Sequence, residues 1–152
     1  MSVKDLLSLQ SKAIFELHSR NVLRTQNNPT GDYAEWLVSK RMSLKLEMNS
    51  SRGFDAVCSG GLKYQIKGRR ITPSNLSTQS SVIRSIELKE FDFLIGVVFD
   101  SEWAVIRAMK IPYETVKLIA KPRPRQNGHV LFLNASLLSH PNIEDITHTL
   151  QE

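Results

Sequence analysis

Apolar positions recur at helical spacing at the start of the chain. Val3, Leu6, Leu7, Leu9, Ile14, Phe15, Leu17, Val22 and Leu23 interrupt a polar background that contains no Pro or Gly, which predicts one helix or two over residues 3–24. The turn formers Gln26-Asn27-Asn28-Pro29-Thr30-Gly31 end that pattern. A second helix is expected from Thr30 or Asp32, either of which suits an N-cap, through Ala34, Trp36, Leu37 and Val38 to about Met42. Glu35 is the acid in its middle.

Beyond residue 53 the period shortens to two. Phe54-Asp55-Ala56-Val57-Cys58 has the make-up of a short strand, Ser59-Gly60-Gly61 of a tight turn, and Leu62 to Lys67 alternates apolar and polar, so residues 54–67 predict a β-hairpin. Alternation puts Leu62, Tyr64 and Ile66 on one face and Lys63, Gln65 and Lys67 on the other. Six of the ten residues 72–81 are Ser or Thr, which predicts a loop with room for a short helix at its end. Residues 91–99 are almost wholly apolar, as in a central strand buried on both faces. Asp100-Ser101-Glu102 turns this strand into another over 103–109. Pro112 suits the first residue of a helix over 113–120, and Lys121-Pro122-Arg123-Pro124-Arg125 a basic extended connector. A last strand over 130–133 and a short helix over 143–150 complete an α/β pattern.

The chain has 152 residues, 41% apolar and 23% charged, the size and make-up of one ordinary domain. A helical extension is expected over 1–30, a core over 31–134 and a C-terminal helix over 135–152. One cysteine, Cys58, excludes an intrachain disulfide, a Cys-rich zinc site and an iron–sulfur cluster. No apolar stretch approaches the roughly 18 residues of a membrane span, and Met1-Ser2-Val3-Lys4-Asp5 does not open a signal peptide. A soluble protein of a reducing cytoplasm, with no membrane partner, is the expectation. No Gly-x-x-x-x-Gly-Lys loop is present, so no nucleotide cofactor is expected. His18, His129, His140 and His148 show no metal-ligand spacing.

Twenty Lys and Arg against fifteen Asp and Glu give a net charge of +5, which favours a polyanionic partner. The excess is concentrated. Lys40, Arg41, Lys45, Arg52, Lys63, Lys67, Arg69 and Arg70 face only Glu47 and Asp55 between residues 40 and 70, a net +6. Such a patch suits phosphate backbones; a solvated charged face is the plainer alternative.

Within this stretch lies a set of residues with chemistry. Gln65 and Lys67 are neighbours on one strand face, roughly 6–7 Å apart. Asp55 lies across the hairpin in an otherwise apolar strand, where a charge needs a cation. A carboxylate and an amide oxygen can share a hard divalent ion, and Lys67 could hold a water polarised by it. Each residue also fits a plainer role: Asp55 as a turn acid paired with Arg52 or Lys63, Gln65 and Lys67 as a solvated strand face, Glu35 as a helix-surface acid.

Asp55, the segment Gln65-Ile66-Lys67 and the upstream helical Glu35 together resemble the PD-(D/E)XK phosphodiesterase superfamily, with its restriction-endonuclease-like fold. There an Asp on one strand is followed by acid-x-Lys on the next, and many members carry a further acid on the preceding helix. The resemblance runs from about Gly31 to Met109. Gly53-Phe54 stands where a Pro often precedes the Asp, and Gln65 replaces the acid, as in the Gln-x-Lys variant of the Mrr kind. What the resemblance implies is a mixed central β-sheet flanked by helices and a restriction- or defence-type DNA endonuclease dependent on Mg²⁺ or Mn²⁺. Asp55, Gln65 and Glu35 would hold the metal, Lys67 would complete the catalytic set, and Lys63, Arg69, Arg70, Lys40 and Arg41 would contact DNA. A homodimer would cut both strands. The alternatives are a DNA-binding module of the same fold that lost its chemistry through Gln65, a nuclease specific for junctions, flaps or RNA, and a scaffold whose basic face binds an acidic protein.

Overall fold

A six-stranded mixed sheet forms the centre of the computed structural model, which describes residues 1–48 and 53–151. Chain order gives β1 (Lys45–Leu46), β2 (Ala56–Val57), β3 (Lys63–Arg70), β4 (Phe93–Phe99) and β5 (Val105–Pro112), and the far edge is β8 (Glu144–Asp145). Spatial order is β1-β2-β3-β4-β5-β8; β3 and β4 run parallel and the other neighbours antiparallel. The remaining strands, β6 (Lys121–Arg123) and β7 (Gly128–Val130), form a separate two-stranded ribbon. Helices cover the sheet, so the fold is α/β as the pattern predicts. Among the described residues no helix is long and apolar enough to cross a membrane.

Each face of the sheet has its own core. Helix α2 (Pro29–Met42) and the short α4 (Thr147–Gln151) pack on one side, where Ala34, Leu37 and Val38 meet Tyr64, Ile66, Val97, Phe99 and Ala108. On the other side Leu94, Val98, Met109 and Ile111 meet Ile83, Leu131, Leu133 and Val116 of α3 (Tyr113–Ile119). Strand β4 feeds both, and its residues from Leu94 to Phe99 are all buried, which is why its sequence shows no alternation. Burying side chains of this size stabilises by about 1.5–3 kcal/mol each.

Several boundaries differ from the sequence reading, for local reasons. Helix α1 covers Val3–Ser19 only, because Asn21 takes a left-handed conformation (φ 58°) and turns the chain. Neither Thr30 nor Asp32 caps α2: Asn28 does, accepting from the Thr30 amide at 3.0 Å, with Pro29 in the first turn where no donor is needed. Asp32 instead staples the preceding loop, its Oδ2 accepting from the Arg24 amide (2.9 Å), the Thr25 amide (2.8 Å) and the Thr25 hydroxyl (2.9 Å). The Ser/Thr-rich segment is an extended run beside 129–133 rather than a free loop. The Ser80 amide donates to Leu131 O (2.8 Å), the Leu133 amide to Thr78 O (2.9 Å), and Ile83 and His129 exchange backbone bonds. Pro112 ends β5 and precedes α3 instead of starting it. The basic connector after Ala120 is strand β6, and only 147–151 of the expected terminal helix is helical, since Glu144 and Asp145 pair with β5.

The seat of α2 on β3 depends on one glycine. A Cβ at Gly68 would lie 2.7 Å from Ala34 Cβ and 3.0 Å from the Thr30 carbonyl oxygen, so the helix can sit this close only where the strand has no side chain. Gly68→Ala is expected to push the two apart and cost about 1–3 kcal/mol. A thermal melt followed by circular dichroism measures it, and an unchanged melt would mean the contact is not tight.

Candidate active site

The site is made by a strand that stops early. Strand β2 pairs with β3 over two residues, Ala56 opposite Tyr64 and Val57 opposite Lys63. The Asp55 amide then donates to Tyr64 O at 2.8 Å, and one step farther a side chain replaces the backbone: Asp55 Oδ2 accepts from the Ile66 amide at 2.7 Å. The ladder ends on a carboxylate. Beyond Ile66 the β2 side of β3 borders a cleft of about 390 Å³, lined by Glu35, Asp55, Gln65, Lys67, Gly68, Ser81 and the first turn of α2. Three directions converge on it. Glu35 comes from the helix on one face, Gln65 and Lys67 from the opposite face of β3, and Asp55 from the plane of the sheet. The four residues singled out by sequence pattern therefore meet, though at a sheet edge and not on one open strand face.

Their environment perturbs them strongly. Burial, reinforced by the charge of Asp55, pushes the Glu35 carboxyl up to about 7, although Arg24 Nη2 lies 2.7 Å from Glu35 Oε2 and opposes the rise. Burial also raises Asp55, against the pull of the Ile66 amide, Lys67 and Arg24. Lys67 moves the other way: burial lowers its pKa, while Asp55 and Glu35 resist. Lys67 Nζ donates to Ser81 Oγ and to the Val82 carbonyl, each at 3.1 Å, which leaves one of its three N–H groups for something in the cleft. Gln65 Oε1 is buried and accepts no hydrogen bond, a costly condition for an acceptor.

Asp55, Glu35 and Gln65 are the residues here whose oxygens could hold a divalent ion. Among the described residues no group of three or more His, Cys, Asp or Glu is gathered to hold a metal, so the two carboxylates need a third ligand of another kind. The orphaned Gln65 oxygen is that ligand type: hard, neutral and already desolvated. The charge of Asp55 also raises the proton affinity of Glu35, so the pair is short of positive charge.

The other cations selected from sequence do not gather here. Arg69 binds the Ser77 carbonyl (2.8 Å) and Asn75 Oδ1 (3.2 Å), pinning the Ser/Thr segment. Arg70 points to the opposite face of β3, where it stacks on Trp103 at 4.4 Å from the ring centre and donates to the Ser101 carbonyl. Both still border a second polar hollow of about 290 Å³ next to the cleft, with Asn28, Thr30, Thr72 and Asn75. Lys63 is exposed at the far end of β3, its Nζ 4.9 Å from the centre of the Phe54 ring. Lys40 and Arg41 are exposed in the last turn of α2, away from the helix end that lines the cleft. Arg52 lies outside the described residues. Two partners escaped the sequence pattern, Arg24 and Ser81. Arg24 sits in a loop eleven residues before Glu35, aimed by Asp32 and by the Glu47 carbonyl (2.9 Å), and no periodicity announces such a contact.

No family model and no curated protein matches the sequence.

The shift at Glu35 has a sign that can be measured. With its ordinary value at 4.5 and its folded value near 7, the metal-free folded protein holds a proton that the unfolded chain releases. That contribution is complete below about pH 4.5 and is lost as pH rises through 7. Stability in chelator is therefore expected to fall by about 2 kcal/mol between pH 5 and 7.5, and Glu35→Gln to remove that slope. Urea titrations at the two pH values measure it; equal slopes in both proteins would mean that Glu35 is already ionised.

Proposed function

We propose that the cleft is a divalent-metal-dependent phosphodiesterase site acting on DNA. The observation that carries this reading is the buried, unbonded Gln65 oxygen beside two carboxylates that burial has made poor at staying charged. Groups arranged in this way oppose folding unless a ligand uses them. Asp55, Glu35 and Gln65 would hold Mg²⁺ or Mn²⁺. When bound, such an ion polarises the phosphate and lowers the pKa of a water. Lys67, fixed by Ser81 and Val82, keeps one N–H to hold that water or a phosphate oxygen and to offset charge on phosphorus. Arg24 restrains Glu35 in position. Arg69, Arg70 and the adjoining polar hollow suit the next phosphate along the strand, and the net charge of +5 favours the polyanion. One such site cuts one strand. We place the protein in a reducing cytoplasm, which suits a chain with one cysteine.

The test is incubation with supercoiled, linear and branched DNA in Mg²⁺, Mn²⁺ or chelator. Nicking or cleavage that requires the metal is the expected result. Salt-sensitive binding without cleavage would make the protein a DNA-binding module of this fold. Absence of both would end the nucleic-acid reading.

A further inference from the structure

The basic connector Lys121-Pro122-Arg123-Pro124-Arg125 has no part in the cleft, yet the fold sets it close by. Residues 56–86 and 115–143 contain no Asp or Glu, and together they hold nine of the chain's twenty Lys and Arg. These two acid-free segments pair with each other. The run from Thr78 to Ile83 lines the cleft with Ser81 and bonds through its backbone to 129–133. Strand β7 then passes the ladder to β6, with Lys121 opposite Val130 and Arg123 opposite Gly128. At a strand spacing of roughly 4.8 Å, β6 lies about 10 Å beyond the wall of the cleft.

The cations of the ribbon are uncompensated. Lys121 and Arg125 are exposed, and the ion pairs among the described residues, Arg20–Glu16 and Arg24–Glu35, lie elsewhere. Arg84 joins them: its Nη1 donates to the Gln126 carbonyl at 2.9 Å, in the turn between β6 and β7. The same side chain acts on the cleft, since burial lowers the Lys67 pKa and the charge of Arg84 lowers it further. Lys67, Arg84 and Arg125 thus follow one another from the cleft to the tip of the ribbon.

The backbone of the ribbon is closed to a partner strand. Ile83 and His129 exchange both backbone bonds, so the backbone groups of Pro122, opposite His129, point to the open edge of β6. Pro122 has no N–H, Pro124 after it has none either, and the Pro122 carbonyl accepts from Arg123 Nη1 at 3.1 Å. An added peptide strand finds neither donor nor acceptor there. What remains is side-chain charge, and Lys and Arg both suit phosphate. We propose that the β6–β7 ribbon is a second DNA contact, in which Lys121 and Arg125 hold phosphates of the strand that leaves the cleft past Ser81. The gap of about 10 Å between the cleft wall and β6 spans about three phosphates, at about 3.4 Å of helix axis each. The contact grips backbone and not bases, so it is indifferent to sequence. The path of the strand rests on the reading of the cleft as a DNA site, whereas binding by the ribbon is measured without the chemistry of the cleft.

Fluorescence anisotropy of a labelled duplex, titrated with the full chain in chelator over a range of salt, tests it. The wild type is expected to bind with an affinity that falls steeply as salt rises. Lys121→Ala with Arg125→Ala should lower the slope of log affinity against log salt by about two, one unit per phosphate contact. The loss should be equal on two unrelated sequences and leave the thermal melt unchanged. Lys4→Ala with Lys12→Ala, which removes the same charge from exposed positions on α1, should leave the slope as it was. In Mg²⁺ the ribbon variant should nick plasmid with a raised KM and the wild-type kcat. A reduced slope in the variant with no cleavage by the wild type would support the ribbon and sink the chemistry of the cleft. A ribbon variant with the wild-type slope or KM, a control that falls as far, or a wild type that ignores DNA would each overturn the ribbon. Polyglutamate that displaces the duplex as well as unlabelled DNA does would overturn it too, and would make the ribbon a surface for acidic proteins.

Discussion

Asp55→Asn is expected to abolish metal-dependent DNA cleavage, a loss of at least about a thousandfold, in a protein that remains folded. Asparagine is the informative choice because the Asp55 carboxylate has two duties. It would hold the ion, and it also receives the Ile66 amide at 2.7 Å where the β2 ladder ends. Alanine would leave that amide without its partner and cost about 1–3 kcal/mol, so a lost activity would be confounded by a loosened edge. Asparagine keeps an acceptor oxygen and removes the charge alone. It also removes the repulsion that helps to raise Glu35, so Glu35 should ionise more readily than in the wild type. DNA binding should persist or tighten, since one negative charge facing phosphates is gone. Nicking of supercoiled plasmid, with gel shift in chelator as the binding control, measures both. Cleavage retained by the asparagine variant would remove Asp55 from the chemistry.

The hairpin that carries this site was legible because its strand alternates: Tyr64 and Ile66 are buried in one core, and Gln65 and Lys67 share the other face. Helical spacing likewise placed Glu35 on α2. Less legible was where each strand stops. Nothing in Phe54-Asp55-Ala56-Val57 announces that β2 ends after two ladder pairs, yet that early end opens the edge of β3 and turns a row of strand residues into a cleft. Contacts between distant segments were equally hidden. Lys67 is held by Ser81 and Val82, fourteen and fifteen residues on, and Glu35 by Arg24. Clustered charge in the sequence spreads apart in the fold. Lys67, Arg69 and Arg70 are close in sequence, but alternation sends Arg70 to the far face, and long side chains fold back onto Trp103 or the Ser77 carbonyl as readily as they reach solvent. Hydroxyl-rich segments usually form loops; in the Ser/Thr-rich run, pairing with 129–133 overrides that tendency.

Gln65 separates the cost of the site from its use, and two substitutions there are expected to move stability and metal binding in opposite directions. Its Oε1 is buried without a partner, so Gln65→Leu removes an unsatisfied acceptor and breaks no hydrogen bond to that oxygen; the metal-free protein should become more stable by about 1 kcal/mol. The same change deletes the third ligand and should weaken Mg²⁺ or Mn²⁺ binding. Gln65→Glu does the reverse. A third carboxylate beside Asp55 and Glu35 adds like-charge repulsion in a desolvated cleft, so the metal-free protein should lose stability. A hard cation prefers that carboxylate to an amide, so metal should bind more tightly and stabilise the variant by more than it does the wild type. Cleavage would then persist at lower Mg²⁺. Calorimetric titration of each ion, with thermal melts in metal and in chelator, reads both quantities in one set of proteins. A leucine variant that binds metal as the wild type does, or a glutamate variant that binds it no better, would show that Gln65 faces the cleft without serving it.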